Sequence, residues 1–535
     1  MKIWPRAWPR RLTYLLSAGL LGLALLGGWS WYHYSKINIS GPTVHINKLQ
    51  FDQSLTIGEQ ALISQSIAGL QPKSNFSGPV FAYSATSLNP SAGSSLLSVY
   101  VPVTDPYAIK QSITSQEISA EQKIYIPNEL NPVVSAALAT TLNLDPQKFS
   151  PTSDIATTLL QNPGSLAFIN AKDLTPALKL LRLNNHYYLD DFSSGAVFRS
   201  VQFSGTSASQ LPALKLGNFA TSSNVLKLNM SGVTALTRAL MLKINASGDP
   251  AYPAKNIGGF LADADFTQTS DEVSFKTGCV VSDTVFCATP SSIKTLKASG
   301  INIVELTGNH NNDAGTTAGT NTINLYHSLG WGTFGGGLNA AAAAKPYVIN
   351  KKGSQVALLG YNYYDTVYRS AALAGPTSPG AASFSFAKIK AAIAAAKALG
   401  NFVIVDVQYQ ECYSYPDGYV LDPACYKPLA SPDQKADFER IINEGADMVI
   451  GTQAHQPQTY EMYKGKPIYF GLGNLYFDQF EWPGTEQGII LTHYFLNGRL
   501  LQTKLSPTIY NQTMQPRLMT DSEATNFLKL LQQAR

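Results

Sequence analysis

From residue 225 onward, short apolar runs alternate with segments that have the spacing of helices. Runs rich in branched apolar residues and too short for helices are typical of buried strands. They lie at Val225 to Met230, Ile301 to Thr307, Val356 to Tyr361, Phe402 to Val407, Met448 to Ile450 and Ile468 to Phe470. Helices are predicted at Phe386 to Leu399 and Asp433 to Glu444. This order of elements predicts a sheet with covering helices, in a layered α/β architecture.

Two further patterns predict how the chain ends. Asn497-Gly498 lies between two apolar segments, which is a strong signal for a β-hairpin. Thr520 is followed three positions later by Glu523, the spacing of a capping box at the start of a helix. The sequence therefore predicts an antiparallel edge on the sheet and a final helix within residues 511–535.

Residues 79–215 repeat this mixture of strands and helices on a smaller scale. Apolar runs at Leu97 to Val101 and Ser165 to Ile169 predict strands, and Asn131-Pro132 predicts the start of a helix. The segment Phe168 to Lys179 resembles the strand-and-crossover region of type-2 periplasmic binding proteins. We therefore expect a small α/β domain, periplasmic-binding-protein-like by that resemblance, joined through a Ser- and Thr-rich linker to the larger domain.

The amino terminus carries a segment long enough to cross a bilayer. Leu12 to Tyr32 contains no charged residue, and a helix of that length spans about 30 Å at about 1.5 Å per residue. Residues 12–34 are therefore predicted to be a transmembrane anchor held in the lipid bilayer. A cleaved signal peptide is the alternative, although no small-x-small cleavage pattern follows the run.

Charges on the amino-terminal side of this segment predict its orientation. Residues 1–11 include Arg6, Arg10 and Arg11, and by the positive-inside rule this basic tail stays in the cytoplasm. The main body would then lie outside the cell membrane, beyond a polar, irregular stalk over residues 35–78. The sequence thus predicts a single-pass membrane protein with an extracytoplasmic body.

The composition is that of a globular protein with more than one domain. The chain has 535 residues, of which 44% are hydrophobic and 14% charged. Its net charge of +4 arises in the first 48 residues, which hold six Lys or Arg and no acid, so the remainder carries 4 − 6 = −2. A body with that balance gives no electrostatic reason to bind nucleic acid.

Four cysteines fall in the part of the chain that is predicted to be exported. Pairing by proximity joins Cys279 to Cys287 and Cys412 to Cys425, which is one of three possible connectivities. Disulfides suit an oxidising compartment outside the cytoplasm. A zinc site is the alternative, but the spacings contain no C-x-x-C.

Polar side chains follow two of the predicted strands directly. The run that ends at Ile450 leads into Gln453 and His455, and the run from Ile301 leads into Asn309 and His310. In α/β proteins the carboxyl ends of neighbouring parallel strands lie together, and ligands bind there. The sequence therefore predicts one site at this edge of the sheet.

From Val225 to Ser506 the chain resembles the CapA family, bacterial capsule and poly-γ-glutamate synthesis proteins with a calcineurin-like metallophosphoesterase fold. The matching segments are Ser231 to Arg238, Ala264 to Thr267, Ser270 to Glu272, Thr307 to Asp313, Val407 to Glu411, Gly451 to Gln458 and Gly471 to Asn474. They follow one another in the family's order. The resemblance implies a metallophosphoesterase-like domain over residues 225–510.

Three positions depart from the pattern that this resemblance implies. In the wider superfamily, strand ends supply Asp, Asn and His ligands to a two-metal centre that activates water. Val233, Gln408 and Gln453 stand where a carboxylate or an imidazole is expected, and amide oxygens bind zinc or iron poorly. We therefore expect no two-metal centre, and at most one divalent cation. Its weak candidate ligands are Glu272, Asn309, Glu411 and His455.

The retained groups form an acid-base set. We expect His310 and His455 to exchange protons, with Glu272 and Glu411 as their partners. The residues expected to bind substrate are Asn309, Asp313, Arg238, Gln408 and Gln453. Each residue also has a structural alternative: a histidine can be satisfied within the core, Asn309 can cap a turn, and Arg238 can form an internal ion pair.

The resemblance implies a function in making, exporting or processing an anionic capsule-type polymer, either poly-γ-glutamate or a polysaccharide. If the protein is an enzyme, we expect a hydrolase or transferase with His and Glu acid-base chemistry. Such a protein could work with a membrane synthase complex. The alternative is an inactive metallophosphoesterase-fold module that binds polymer or assembles the cell envelope.

Overall fold

The computed structural model describes residues 49–68, 80–90, 95–205, 214, 216, 220–368, 372–411, 424–479 and 484–535. The predicted anchor over residues 12–34 lies outside these residues. Within the described ranges, no helix combines the length and apolar character needed to cross a membrane.

The chain divides into two compact units, and the first comprises residues 1–83 and 203–214. Its strand β1 (Leu49–Phe51) pairs in parallel with the start of β2 (Val80–Ser87). Helix α1 (Ile57–Ala68) begins with a reciprocal Thr56–Glu59 cap. The expectation of an irregular stalk is wrong for residues 49–68, because buried Ile63 and Ile67 hold a helix there.

The second unit comprises residues 84–202 and 215–535. Its amino-terminal part, residues 84–202, is called the small lobe below. A mixed sheet in this lobe has the strand order β10-β3-β7-β5-β6. The strands and helices that the lobe contains are β3 (Ser95–Thr104), β4 (Ser112–Ile113), α2 (Ser115–Ala120), β5 (Ile124–Pro127), α3 (Pro132–Leu142), β6 (Phe149–Thr152), α4 (Ile155–Gln161), β7 (Leu166–Asn170), β8 (Lys179–Leu180), β9 (Arg182–Leu183), α5 (Tyr188–Asp191) and β10 (Val197–Ser204).

Residues 220–535 form two sheets, and this part is called the two-sheet core below. The first sheet has the order β14-β13-β12-β11-β24-β25-β26, with β23 on β11. Its strands are β11 (Val225–Thr234), β12 (Phe266–Asp271), β13 (Ile303–Glu305), β14 (Gly332–Phe334), β23 (Asn474–Tyr476), β24 (Gln487–Leu496), β25 (Arg499–Ile509) and β26 (Arg517–Leu518).

The second sheet has the order β16-β17-β19-β20-β22-β21. Its strands are β16 (Tyr347–Lys351), β17 (Ser354–Asn362), β19 (Phe402–Gln408), β20 (Met448–Thr452), β21 (Pro457–Tyr463) and β22 (Lys466–Leu472). A short ribbon of β15 (Gly336–Gly337) and β18 (Gly380–Ala381) lies apart from both sheets. The apolar runs predicted a sheet with covering helices, and the resemblance implied a layered α/β sandwich. The structure has two sheets in this part, a division that apolar runs do not specify because they locate strands without saying which strands pair.

Apolar side chains from both sheets meet in one cluster, which includes Met230, Leu358, Ile404 and Ile450. Two other clusters form where helices cover the outer face of each sheet. The helices of the two-sheet core are α6 (Arg238–Ser247), α7 (Gly258–Ala262), α8 (Ile293–Ala298), α9 (Thr316–Ser328), α10 (Ala340–Ala343), α11 (Tyr364–Tyr368), α12 (Phe386–Ala398), α13 (Gln434–Asn443) and α14 (Asp521–Gln533). The mixed α/β class is therefore confirmed.

Local sequence signals located several elements correctly. The hairpin of β24 and β25 turns at Asn497 and Gly498, whose φ angles are 51° and 77°, as a two-residue turn of this sequence requires. Helix α14 begins with the predicted capping box of Thr520 and Glu523. The strand predicted from Ile301 to Thr307 is shorter, since only Ile303–Glu305 pairs as β13.

The small lobe and the two-sheet core are joined by hydrogen bonds from polar side chains on β25. Arg499 Nη1 donates to Leu174 O at 2.5 Å, and Gln502 Nε2 donates to Leu178 O at 2.9 Å. Both parts lie in the same compact unit. The proposed division into separate domains at residues 79–215 and 225–510 stays a prediction.

One predicted disulfide is present in full. Cys279 and Cys287 are bonded and close a loop that precedes α8. Cys425 is also disulfide-bonded, and its predicted partner, Cys412, lies outside the described residues. The first bond constrains the loop that carries Phe286, the neighbour of Cys287 in the chain.

Candidate functional site

Neighbouring parallel strands of each sheet end where the predicted site residues begin. β12 leads into Glu272, β13 into Asn309 and His310, β19 ends at Gln408, and β20 leads into Gln453. In parallel sheets these carboxyl ends share one edge. Hydrogen bonds join residues from both sheets at that edge, so the site lies across the gap between the sheets.

The centre of the site is a set of amides and a carboxyl, called the amide cluster below: Glu272, Asn309, Gln408 and Gln453. Gln408 Nε2 donates to Glu272 Oε1 at 3.2 Å and to Asn309 Oδ1 at 3.1 Å, and it also contacts Gln453 Oε1. Asn362 Nδ2 donates to Gln408 Oε1 at 2.8 Å. This last bond fixes the amide of Gln408 with its nitrogen toward the cluster.

Glu272 is fully buried, and its Oε2 has no hydrogen-bond partner in the part of the chain that the structure describes. Burial raises the pKa of Glu272 well above its usual value, and the neighbouring carboxyls of Glu411 and Glu305 raise it further. The protonated form is therefore favoured. A Cβ on Gly308 would lie 2.6 Å from Glu272 Cα, so only glycine allows this close approach.

Glu411 lies at the margin of the amide cluster. Gln453 Nε2 contacts its Oε1 at 3.4 Å. Burial raises the pKa of Glu411, while a charged His310 would lower it. His310 therefore lies close enough to Glu411 to affect the protonation of that carboxyl.

His310 is held on two sides. Its Nδ1 lies 2.6 Å from Asp313 Oδ2, and its ring stacks on Phe286 at 4.0 Å between centroids. The backbone N–H of Phe286 donates to the same Asp313 oxygen at 3.0 Å. Asp313, predicted to bind substrate, thus binds His310 and orients its ring.

Arg238 lies between two aromatic rings, with its guanidinium carbon 4.8 Å from the centroid of Phe286 and 4.8 Å from that of Phe477. It forms an ion pair with Asp478 through Nε and Nη2. The internal ion pair considered as an alternative is therefore present. Binding of an anionic substrate by Arg238 stays a prediction, and that substrate would compete with Asp478.

His455 has a different environment from that of His310. Its ring is buried, stacks on Phe477 at 5.2 Å between centroids, and contacts Asn474 Oδ1 through Nδ1 at 2.9 Å. The pKa of His455 is lowered to about 4, mainly by burial and in smaller part by positive charge on His310 and Arg238, while the hydrogen bond to Asn474 opposes this shift. At neutral pH this histidine is uncharged, contrary to the expectation that it titrates there.

These contacts place five side chains in one row, called the aromatic stack below: His310, Phe286, Arg238, Phe477 and His455. Arg238, Gln453 and His455 have positive φ angles of 48°, 84° and 55°. Non-glycine residues in this conformation are strained and occur preferentially at functional sites. The backbone strain therefore coincides with the residues that form the site.

The structure brings together nearly all of the predicted residues. Glu272, Asn309, Gln408, Gln453 and Glu411 are linked by hydrogen bonds. Five residues of the site were not predicted from the sequence: Phe286, Phe477, Asp478, Asn362 and, as a partner of His455, Asn474. Asn474 had a signal, since it ends the quoted motif from Gly471. Phe286 had none, because it lies in a loop far along the chain from His310.

The donor set does not fit a two-metal centre. Among the residues described, no three His, Cys, Asp or Glu side chains are grouped to hold a metal ion. Val233 is buried opposite Asn474 in the strand register and supplies no ligand. The amide N–H groups of Gln408 face the oxygens that would otherwise attract a cation, and an N–H group cannot coordinate a metal.

Comparison with known proteins finds similarity over the larger part of this core. The family model described as “Bacterial capsule synthesis protein PGA_cap” matches residues 227–479. The chain is 26% identical over 211 residues to the capsule biosynthesis protein CapA of Bacillus anthracis, covering 39% of this chain and 47% of that protein. It is 22% identical over 233 residues to the PGA biosynthesis protein CapA of Bacillus subtilis, covering 43% and 57%. The chain thus spans about half the length of these relatives.

Among solved structures, the chain is similar to a Staphylococcus aureus protein provisionally named a 5'-nucleotidase and bound to alpha-ketoglutarate. The two share 12% sequence identity with a TM-score of 0.33, over 57% of this chain and 58% of the other. A TM-score this low does not establish a common fold.

Proposed function

We propose that the protein makes, exports or processes an anionic capsule-type polymer, because the model of the bacterial capsule synthesis family PGA_cap matches residues 227–479. The two Bacillus relatives are named for capsule and PGA biosynthesis, which supports poly-γ-glutamate or a polysaccharide as the substrate. The proposal includes a metallophosphoesterase-like fold for the two-sheet core, supported by the layered architecture of its two sheets and covering helices.

We place the chemistry at the boundary between the amide cluster and the aromatic stack. His310 has one ring nitrogen held by Asp313, so the other nitrogen, Nε2, is the one that can take a proton from an attacking hydroxyl group. Glu411 has a raised pKa and can supply a proton to a leaving group. The orientation of His310 by Asp313, within electrostatic reach of Glu411, is the observation that carries this proposal.

The step needs no metal to balance. His310 Nε2 accepts a proton from a water molecule or from the hydroxyl group of an acceptor. The oxygen of that water or hydroxyl group forms a bond to the substrate carbon at the same time. The bond from that carbon to the leaving nitrogen or oxygen breaks, and the proton of Glu411 passes to the leaving atom. His310 then returns a proton to Glu411 through solvent. Hydrolysis results when the acceptor is water, and transfer results when the acceptor is another chain.

A binding or assembly module is the second candidate. The amide cluster favours it, because Gln408 satisfies oxygens that a catalytic cation would otherwise bind. In that case the site would recognise polymer through amide and carboxyl groups and catalyse no reaction. The two candidates differ in whether His310 is needed for turnover or only for the shape of the site.

The experiment uses the full chain in detergent, incubated with poly-γ-glutamate or capsular polysaccharide, and counts new chain ends. We expect His310→Ala to reduce turnover by about 10²- to 10⁴-fold, the range of general base catalysis. His327→Ala is the matched control, because His327 is an exposed residue of α9 whose ring contacts the hydroxyl of Thr333 and which belongs to neither the amide cluster nor the aromatic stack. Full turnover in His310→Ala would refute the catalytic proposal, and polymer binding without turnover in the wild type would establish the module.

We also propose that residues 12–34 anchor the protein, with the body outside the cell membrane. The uncharged segment and the arginines before it support this placement. Replacing Arg6, Arg10 and Arg11 with Glu should reduce the fraction of the body that external protease can digest in intact cells. An unchanged digestion pattern would count against the proposed orientation.

A further inference from the structure

A cavity of about 200 Å³ lies between the small lobe and the two-sheet core. None of the residues of the amide cluster or the aromatic stack lines it. The cavity is large enough to hold several water molecules or a small ligand. Its walls are largely aromatic and aliphatic, with contributions from Leu178, Tyr187, Tyr460, Tyr469, Leu505 and Leu528.

Three cations line this cavity, and two of them have carboxylate partners. Arg182 pairs with Asp521 at 2.7 Å, and Lys504 pairs with Asp190 at 2.6 Å. Lys179 differs, because in the part of the chain that the structure describes its Nζ donates to a neutral group, the carbonyl oxygen of Ala108, at 2.5 Å. The cavity therefore contains a positive charge that lacks a direct counterion.

Asp105 is a carboxylate that acts electrostatically on Lys179. Both oxygens of Asp105 already accept backbone N–H groups, those of Tyr107 at 3.0 Å and Gly164 at 2.9 Å. Burial lowers the pKa of Lys179 to about 8, so the ammonium form still predominates at neutral pH. Lys179 is half-buried, and an anion in the cavity would give its ammonium group the charged partner that the carbonyl of Ala108 does not supply.

We propose that this cavity binds a small organic acid, with its carboxylate on the Nζ of Lys179 and a short aliphatic body against the aromatic wall. The rings of Tyr460 and Tyr469 stand 5.7 Å apart between centroids, tilted by 31°, and together present an aromatic wall to that body. The carboxylate could belong to a free metabolite or to the end of a glutamyl chain, which present the same chemistry. The inference rests on the cavity and does not depend on the proposed function.

Binding would be measured by calorimetry and by the melting temperature of the full chain, with pentanoate as the probe. We expect saturable binding of pentanoate and a rise in melting temperature. Pentan-1-ol and pentylamine have similar bodies without the carboxylate, and we expect neither to bind. A γ-glutamyl oligomer tested in parallel distinguishes the two sources, since tighter binding of the oligomer assigns the chain end and tighter binding of pentanoate assigns the metabolite.

Lys179→Met should weaken pentanoate binding about 10- to 100-fold, the effect of losing one charge-assisted hydrogen bond. Lys148→Met is the matched control, because Lys148 also lies in the small lobe and donates to a backbone carbonyl, Ser119 O at 2.9 Å, but lies outside the cavity. Unchanged affinity in Lys179→Met, or equal loss in both variants, would overturn the proposal.

A second measurement does not depend on how the variant folds. Lys179 in the wild type should be protected from an amine-reactive acylating reagent when pentanoate is bound, as detected by mass spectrometry of its peptide. Lys148 should be acylated equally with and without the ligand. If pentanoate binds but leaves the acylation of Lys179 unchanged, the site lies elsewhere and the proposal fails.

Discussion

The amide cluster and the aromatic stack lie at the same edge of the strands but satisfy their polar groups differently. In the amide cluster, Gln408 donates to neighbouring oxygens, and a buried Glu272 has a strongly raised pKa. In the aromatic stack, His310 keeps one ring nitrogen for exchange and is a quarter exposed on its side chain. The difference teaches that one edge of the strands can hold a buried hydrogen-bond network beside a partly exposed histidine whose second ring nitrogen is not used in that network.

Among the proposed variants, Gln408→Glu should lower the free energy of unfolding the most, because it changes the centre of the amide cluster. It removes the two amide protons and directs a carboxylate at Glu272 Oε1 and Asn309 Oδ1. An uncompensated buried charge lowers the free energy of unfolding by about 3–5 kcal/mol at neutral pH. Chemical denaturation measures this loss, with Gln355→Glu on an exposed position of β17 as the control.

The same variant tests why the cluster has an amide. A carboxylate beside three oxygens is the donor set of a hard cation, so millimolar Ca²⁺ should restore part of the lost stability in Gln408→Glu. The wild type should show no such rise. Equal stabilisation of both proteins would contradict the argument that Gln408 takes the place of a cation.

The pH dependence of the free energy of unfolding should show whether His455 titrates as a buried group. His455 has a folded-state pKa of about 4 against 6.5 when unfolded, so the unfolded state binds its proton first as pH falls. Stability from this group is complete above pH 6.5 and is lost between about pH 6.5 and 4. About 3 kcal/mol is lost over that window at about 1.4 kcal/mol per pH unit.

His455→Asn should therefore change the pH slope as well as the stability. The difference in unfolding free energy between wild type and His455→Asn should shrink by about 3 kcal/mol as pH falls from 7 to 4. Urea denaturation at several pH values measures it. A constant difference across this range would show that His455 does not have a lowered pKa.

The disulfide of Cys279 and Cys287 should matter for the stack and little for the amide cluster. It fixes the loop that carries Phe286, which stacks on His310 and donates to Asp313. Opening a loop of this length lowers the free energy of unfolding by about 2–3 kcal/mol in the chain-entropy model. We expect Cys279→Ser with Cys287→Ser to show that loss in thermal denaturation.

A control separates the loop's role in the stack from general stability. Phe286→Leu keeps the disulfide but removes the ring beneath His310, and it should lower turnover as the double serine variant does. If the serine variant lost stability but kept full turnover, the loop would have no part in positioning His310.

Sequence located those parts of the site that follow strands directly. Asn309, His310, Gln453 and His455 come straight after apolar runs, and the period of such runs is visible without tertiary contacts. Phe286 and Asp478 could not be found in this way, because they reach the site from loops and act through Arg238 and His310. Local pattern carries no information about which distant loop covers a strand end.

The lack of long-range information in local sequence patterns also explains the two features of the fold that were not predicted, the division into two sheets and helix α1. The hairpin and the final helix were predicted because Asn497-Gly498 and the Thr520–Glu523 pair are local chemical signals. The division into two sheets depends on pairing between strands far apart, such as β11 with β24, and no local signal encodes it. The helix at Ile57–Ala68 was missed because its buried apolar positions are few among polar ones.

We propose, as the central claim, that the site holds its oxygens through the Gln408 amide and not through a pair of metals. The most direct test is the metal content of the purified full chain after incubation with zinc, iron and manganese salts and removal of excess metal. We predict less than one equivalent of transition metal, unchanged in His455→Ala. Two bound equivalents in the wild type that are lost in His455→Ala would contradict the account.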